Sequence, residues 1–340
     1  MIEIDGAYLE GGGQIVRTSV ALSALTGKKV KITDIRAKRR NPGLQAQHKA
    51  AIDAVARLCN AKVDGNRIGG KEITFDPGKI KGGSLSLNIG TAGSTALVLQ
   101  ALMLPAMYAE KPLEISIIGG TTNKWAPSIS YLSNVTLPLL KKFGYKGEII
   151  LQKHGFYPTG GGLVEARLRK CELEKIDLMD RGKLVSVNGL CTSTEDLKKA
   201  QVADRMQSFL RSKLFNEFQI APNVKTNYVK SASTGGGCDL FAVYEDSIIG
   251  AASVAERGVR SEDVAQEALD FLISAHKSGA ALDMHMADQI IPYLAIAGGS
   301  VSVEKITGHV RTNMLVCEQF LGVKFEVDEQ HKIISVVRAP

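Results

Sequence analysis

Along this chain, short runs that alternate apolar and polar residues end in glycines, and longer runs with helical spacing follow. The strand IEID leads into Glu10-Gly-Gly-Gly13 and a helix over residues 14–26, stopped by Gly27. Strand KVKITDI leads through a basic loop to a helix started at Asn41-Pro42, where a proline costs nothing because the first helical N–H lacks a partner. Strand SLSLNI leads into GTAGS and a helix over 94–104, and strand LEISIIGG into a helix over 127–143. GGGQIVRTSVALSALTGK and GTAGSTALVLQALMLPA read as variants of one unit, so the pattern predicts repeated α+β units with helices on one face of a small sheet.

From Lys183 the texture changes to a β-α-β-β-β-α order, with a charged helix over 194–214 and a second over 261–277. The glycine-strand-helix style returns after Gly279, and VKFEV and KIISVVR close the chain as a hairpin. The expected organisation is an α+β protein. A large domain comprises 1–182 and 278–340, and a smaller α+β domain, 183–277, is inserted into it.

The 340 residues are 44% apolar, enough for real cores. Lys and Arg exceed Asp and Glu by seven and the pI is about 9.0, which favours an anionic partner. Five cysteines, none spaced as CxxC, argue against a disulfide framework or zinc ribbon and fit a reducing cytosol. With no signal-like start and no apolar run of membrane-spanning length, the expectation is a cytoplasmic protein without a membrane partner. Oligomeric state is not legible.

P-loop, Rossmann and HExxH signatures are absent. Lys62 to Arg67 matches the KxDGxR pattern of lysine-adenylating ligases, but Asp-Gly between strand-like residues reads as a hairpin turn. In EGGGQIVR, glycines bring backbone N–H groups near whatever occupies the helix start; Arg17 lies one turn in, and Glu10 suits a divalent cation. A plain tight turn explains the same residues. Arg36, Lys38, Arg39 and Arg40 gather ahead of a helix, either as phosphate-binding forks or as a solvated loop. His48 follows Leu44 by four and has a core-edge reading too. HGFYPTGGG is an anion cradle or a hairpin loop; NKWAP holds the sole tryptophan and a proline suited to a flat ring, or simply packs a helix start on the core.

The chemistry concentrates in Asp283 to Met314. His285, Asp288 and Gln289 share one face of a helix. With Asn313 as an N-cap, His309 falls just outside the positive end of the next helix. That place welcomes anions and disfavours imidazolium, which suits a histidine nucleophile facing phosphate.

Together EGGGQIVR, the run from Arg36 to His48, GTAGST, HGFYPTGGG, HMADQxxPYLA and GHVRTN resemble the RNA 3'-terminal phosphate cyclases. The resemblance implies three repeats of a two-helix, four-stranded unit plus an inserted domain. It implies ATP-dependent conversion of an RNA 3'-phosphate to a 2',3'-cyclic phosphodiester through a histidine–AMP adduct and an RNA adenylate. By position, His309 is the nucleophile. Gln100, Pro127, His285, Met286, Ala287, Asp288 and Gln289 form the ATP pocket, with His285 where the family often has an aromatic ring. Glu10 binds Mg²⁺ or Mn²⁺, and Arg17, Arg36, Arg39, Gln47 and His48 bind phosphates or RNA. The competing expectations are a noncatalytic relative serving ribosome assembly and an enolpyruvyl-transferase-like enzyme.

Overall fold

The computed structural model describes residues 1–338. The first unit runs β1 (Ile2–Asp5), α1 (Gly13–Thr26), β2 (Val30–Thr33), α2 (Ala46–Cys59), β3 (Lys62–Asp64) and β4 (Ile73–Asp76), with strand order β1-β2-β4-β3. Its first two strands are parallel and the other pairings antiparallel. The second unit repeats this plan. It contains β5 (Gly83–Asn88), α3 (Thr95–Ala106), β6 (Leu113–Gly119), α4 (Ile129–Tyr131), a π-turn (Leu132–Thr136), α5 (Leu137–Lys142), β7 (Gly147–Lys153) and β8 (Gly162–Leu168). The order is again first, second, fourth, third: β5-β6-β8-β7, with β5 and β6 parallel.

The third unit begins with β9 (Ile176–Leu178) and is then interrupted. The intervening elements are β10 (Leu184–Thr194), a 3₁₀ turn (Glu195–Ala200), α6 (Val202–Phe218), β11 (Asn223–Val229), β12 (Gly236–Tyr244), β13 (Ile248–Val254) and α7 (Ser261–Ser278). They form a sheet of order β11-β10-β12-β13, and α6 and α7 pack on it around a core that includes Met206, Leu210, Leu240, Leu269 and Leu272. The third unit resumes with α8 (Met284–Ala297), β14 (Gly299–Ser302), α9 (Gly308–Leu321), β15 (Val323–Asp328) and β16 (Ile333–Arg338). Its strands follow the order β9-β14-β16-β15, so β9 and β14 are parallel neighbours despite the long insertion between them. The α+β repeat architecture with an inserted subdomain is thus present.

The three units share one core rather than three. Helix α1 is its hub: nine of its residues are buried, and it touches α2, α3 and α9. Its buried residues are apolar or small hydroxyl side chains, which lets several partners pack on it. Gly27, at φ 68°, ends it in the left-handed conformation that glycine adopts without strain.

Two helix starts differ from the sequence reading here, and that of α9 differs at the site below. Helix α2 starts at Ala46, not at Pro42, because Arg36 donates to the carbonyls of Asn41 and Gly43 and Gly43 turns left-handed (φ 77°), holding 41–45 as a loop. The charged helix of the insertion starts at Val202, because Gln201 at φ 52° separates it from the 3₁₀ turn. Lys62 lies on β3 beside the Gly65 turn, in the short hairpin its sequence suggests.

Candidate active site

A cleft of about 920 Å³ opens where the three units and the insertion meet, and both His309 and His285 line it. His309 does not precede its helix. Thr307 is the N-cap, its hydroxyl accepting from the Val310 N–H at 3.2 Å, so His309 stands in the first turn of α9. Asn313 lies further into α9, buried, where its Oδ1 accepts from Thr18 at 2.8 Å and its amide donates to the Asp288 carbonyl at 2.7 Å. It joins α1, α8 and α9. His309 thus lies inside the positive end of the helix rather than outside it, where the free N–H groups still favour an anion.

Around His309 the first glycine loop closes tightly. Its Nε2 lies 3.0 Å from Glu10 Oε2, and Arg39 reaches the same oxygen at 3.4 Å. A Cβ at Gly308 would sit 2.5 Å from Glu10 Oε1, so only glycine lets that carboxylate lie against the start of α9. Burial pulls the His309 imidazole below its ordinary pKa; Glu10 opposes this, while Arg39, Arg17 and His285 reinforce it. Burial and the neighbouring cations thus favour the neutral form of His309.

His48 is deeply buried. Its Nδ1 accepts the Gln45 N–H at 3.0 Å, which leaves the proton on Nε2, against Gly13. Burial, then Arg17 and Arg36, push its pKa down to about 3. It is a neutral donor that also caps α2. Gln47 accepts from the Ser94 N–H at 3.0 Å, tying α2 to the GTAGS loop. Arg36 lines the cleft, but its guanidinium is engaged with its own loop.

The opposite wall belongs to α8 and to the loop ahead of α4. Gln289 Oε1 accepts from Gln100 at 2.8 Å and from Thr136 at 2.9 Å, and its amide donates to the His285 carbonyl at 3.0 Å. His285 stands edge-on to both Tyr131 and Phe271, with ring centroids 6.4 and 6.2 Å away. Pro127, Gln100, Asp288 and Gln289 all line the cleft. Met286 and Ala287 do not: both are fully buried in the core, and their side chains anchor α8. Tyr131, Thr136, Phe271 and Asp283 are additions that the sequence reading did not single out. The Asp283 carboxylate caps α8 by accepting the N–H groups of His285 and Met286, both at 2.9 Å. The order Asp-Met-His-Met before an apolar helix carries that capping signal.

Asp288 and Arg17 meet in the cleft. Burial raises the Asp288 carboxyl to about 7, against the lowering effect of Arg17, while Asp283 and Glu10 raise it further. Burial lowers Arg17 to about 10. The Asp288 pKa in the fold thus lies above its ordinary 3.8, so the stability it contributes is complete below about pH 4 and is lost as pH rises through 7. Asp288→Asn is expected to have a higher melting temperature than the parent at pH 8 and nearly the same one at pH 4; an equal difference at both values would contradict this.

Among the described residues, no three His, Cys, Asp or Glu side chains gather as a metal-binding set, and no helix is long and apolar enough to cross a membrane. Lys62 does not line the cleft.

A family model described as "RNA 3'-terminal phosphate cyclase" matches residues 8–327. Relatives carrying that description include one from Pyrococcus furiosus, 43% identical over 96% of this chain and 95% of its own. Another, from Methanosarcina barkeri, is 40% identical over 99% of each chain, and one from Archaeoglobus fulgidus is 42% identical over 96% and 98%. The solved enolpyruvyl transferase NikO from Streptomyces tendae shares 16% identity at a TM-score of 0.28, covering 50% of this chain and 33% of that one, too distant to carry an argument.

Proposed function

Since the chain belongs to the RNA 3'-terminal phosphate cyclase family and is an ATP-dependent RNA 3'-phosphate cyclase, we propose that His309 is the residue that takes up AMP. The observation that carries this is the place of the His309 imidazole in the first turn of α9, facing a cleft bordered by Arg17, Arg39 and the glycines after Glu10. In this reading a ring nitrogen attacks the α-phosphorus of ATP, a nitrogen–phosphorus bond forms, and the bond to the pyrophosphate oxygen breaks. An oxygen of the RNA 3'-phosphate then displaces the histidine. Finally the neighbouring 2'-hydroxyl loses its proton and attacks the phosphorus of the RNA 3'-phosphate, the anhydride bond breaks, and AMP leaves. Division of one hard displacement into easier ones is the general gain of covalent catalysis.

The remaining assignments follow the geometry. His285 and Pro127 flank the base of ATP, with Gln100, Asp288 and Gln289 beside them; Met286 and Ala287 contribute by holding α8 in place. Arg17, Arg39 and the Nε2–H of His48 face phosphate, while Arg36 and Gln47 shape the loops that carry them. Use of ATP and a divalent cation comes with the family. A lone carboxylate at Glu10 fits such an ion, because Mg²⁺ is commonly held by one or two carboxylates with the remaining ligands from phosphate and water. When bound, the cation neutralises phosphate charge. Attack through Nε2 requires the proton on Nδ1, so the 3.0 Å contact between His309 and Glu10 opens before reaction. The substrate RNA ends in a 3'-phosphate, residues 183–277 are an inserted unit on a body made of 1–182 and 278–340, and the protein acts in the cytoplasm.

The test is retention of label from α-labelled ATP on the denatured protein, measured across pH. Label is expected to stay, and because burial depresses the His309 pKa, the acid limb of uptake should lie below pH 6.5. Absence of any adduct would favour the noncatalytic relative instead.

A further inference from the structure

Trp125, the sole tryptophan, is 91% exposed and stands at φ 66°, a backbone region that bulky side chains rarely occupy. Both features are costly: the indole leaves its large apolar faces in water, and the backbone is held in the left-handed region. The surrounding loop is nonetheless fixed. Asn123 donates to the Ala92 carbonyl at 2.6 Å, Lys124 pairs with Glu256 of the insertion at 2.7 Å, and Ser128 donates to buried Asp239. Trp125 therefore does not anchor the helix start to the core, although its loop is well anchored. It borders the same cleft as His309. The Lys124 ammonium lies 5.5 Å from the indole centroid.

The reaction brings two nucleotides into this cleft, ATP and the last nucleotide of the RNA. The surface between His285 and Pro127 serves one base. Trp125 lies outside that pair, two residues ahead of Pro127, with its faces open. We propose that Trp125 is the stacking platform for the terminal base of the RNA. An exposed indole next to a cation is what unpaired RNA bases are ordinarily stacked on, and stacking tolerates any base because each has a π-face. The cyclase would then hold RNA ends without reading their sequence. This rests on the cyclase reading above.

Because no other tryptophan exists, fluorescence excited at the red edge, where the eight tyrosines do not absorb, reports this position alone. The experiment titrates the His309→Asn protein, which binds without turnover, with three probes. They are a short single-stranded RNA ending in a 3'-phosphate, the same RNA whose last ribose lacks its base, and ATP. The intact RNA is expected to quench emission; the abasic RNA and ATP alone should leave it nearly unchanged. In the otherwise unaltered enzyme, Trp125→Ala should raise the KM for RNA about ten-fold, the scale of one stacked base. Trp125→Phe should restore most of that loss, and the KM for ATP in AMP uptake should not follow the same course. Equal quenching by the abasic RNA overturns the proposal, as does quenching by ATP alone or an unchanged KM for RNA in Trp125→Ala. Loss of AMP uptake by the parent protein would refute the cyclase reading itself, whereas uptake without base-dependent quenching refutes only the role of Trp125.

Discussion

Chains carrying His309→Ala are expected to retain no label from α-labelled ATP, with cyclisation falling on the order of 10⁴-fold or more, because removal of a covalent nucleophile leaves only binding effects. The fold should survive, since the His309 side chain is 39% exposed and, among the described residues, its one polar partner is Glu10. Far-ultraviolet dichroism and the melting temperature should stay near those of the parent. Lys62→Ala should keep full labelling, because Lys62 sits on an edge hairpin away from the cleft. Labelling that persists in His309→Ala and vanishes in Lys62→Ala would replace the histidine route by a lysine one.

The second large effect falls on stability. Asp283 is 1% exposed, and its carboxylate accepts from Tyr131 at 2.8 Å, from Gly250 of the insertion at 2.9 Å, and from two N–H groups of α8. Asp283→Ala removes a helix cap and strands buried donors on two other elements, so unfolding in urea should be easier by about 3 kcal/mol or more. Asp283→Asn keeps one acceptor oxygen and should lose roughly half as much. ATP affinity should weaken in both, because α8 carries His285, Asp288 and Gln289. A loss under about 1 kcal/mol in Asp283→Ala would mean that water takes over those bonds.

Much of this was legible in the residues. Glycines after short strands marked the repeat, since a backbone turning from strand to helix at a ligand needs them, and the equivalence of GGGQIVR with GTAGST became two helices in corresponding places, α1 and α3. Its strand order was not legible, because parallel pairing of β9 with β14 across the insertion depends on contacts far apart in sequence. His309 was identifiable from its setting, but its place within the helix was not: Thr307 and Asn313 are both capping residue types, and only the demand of Thr18 for a buried partner decides between them. Arg36 read as a phosphate fork, and its Nη1 is held by the Asn41 and Gly43 carbonyls, a local bond that a charge count does not reveal. Nor could the sequence show that Trp125 faces outward, because an apolar residue before a helix start ordinarily packs inward.

The bond between Thr18 and Asn313 spans 295 residues, and it is the same join that brings Glu10 against His309. The Glu10 loop and the start of α9 are therefore set against each other by one buried join, and loosening it should part the carboxylate from the imidazole.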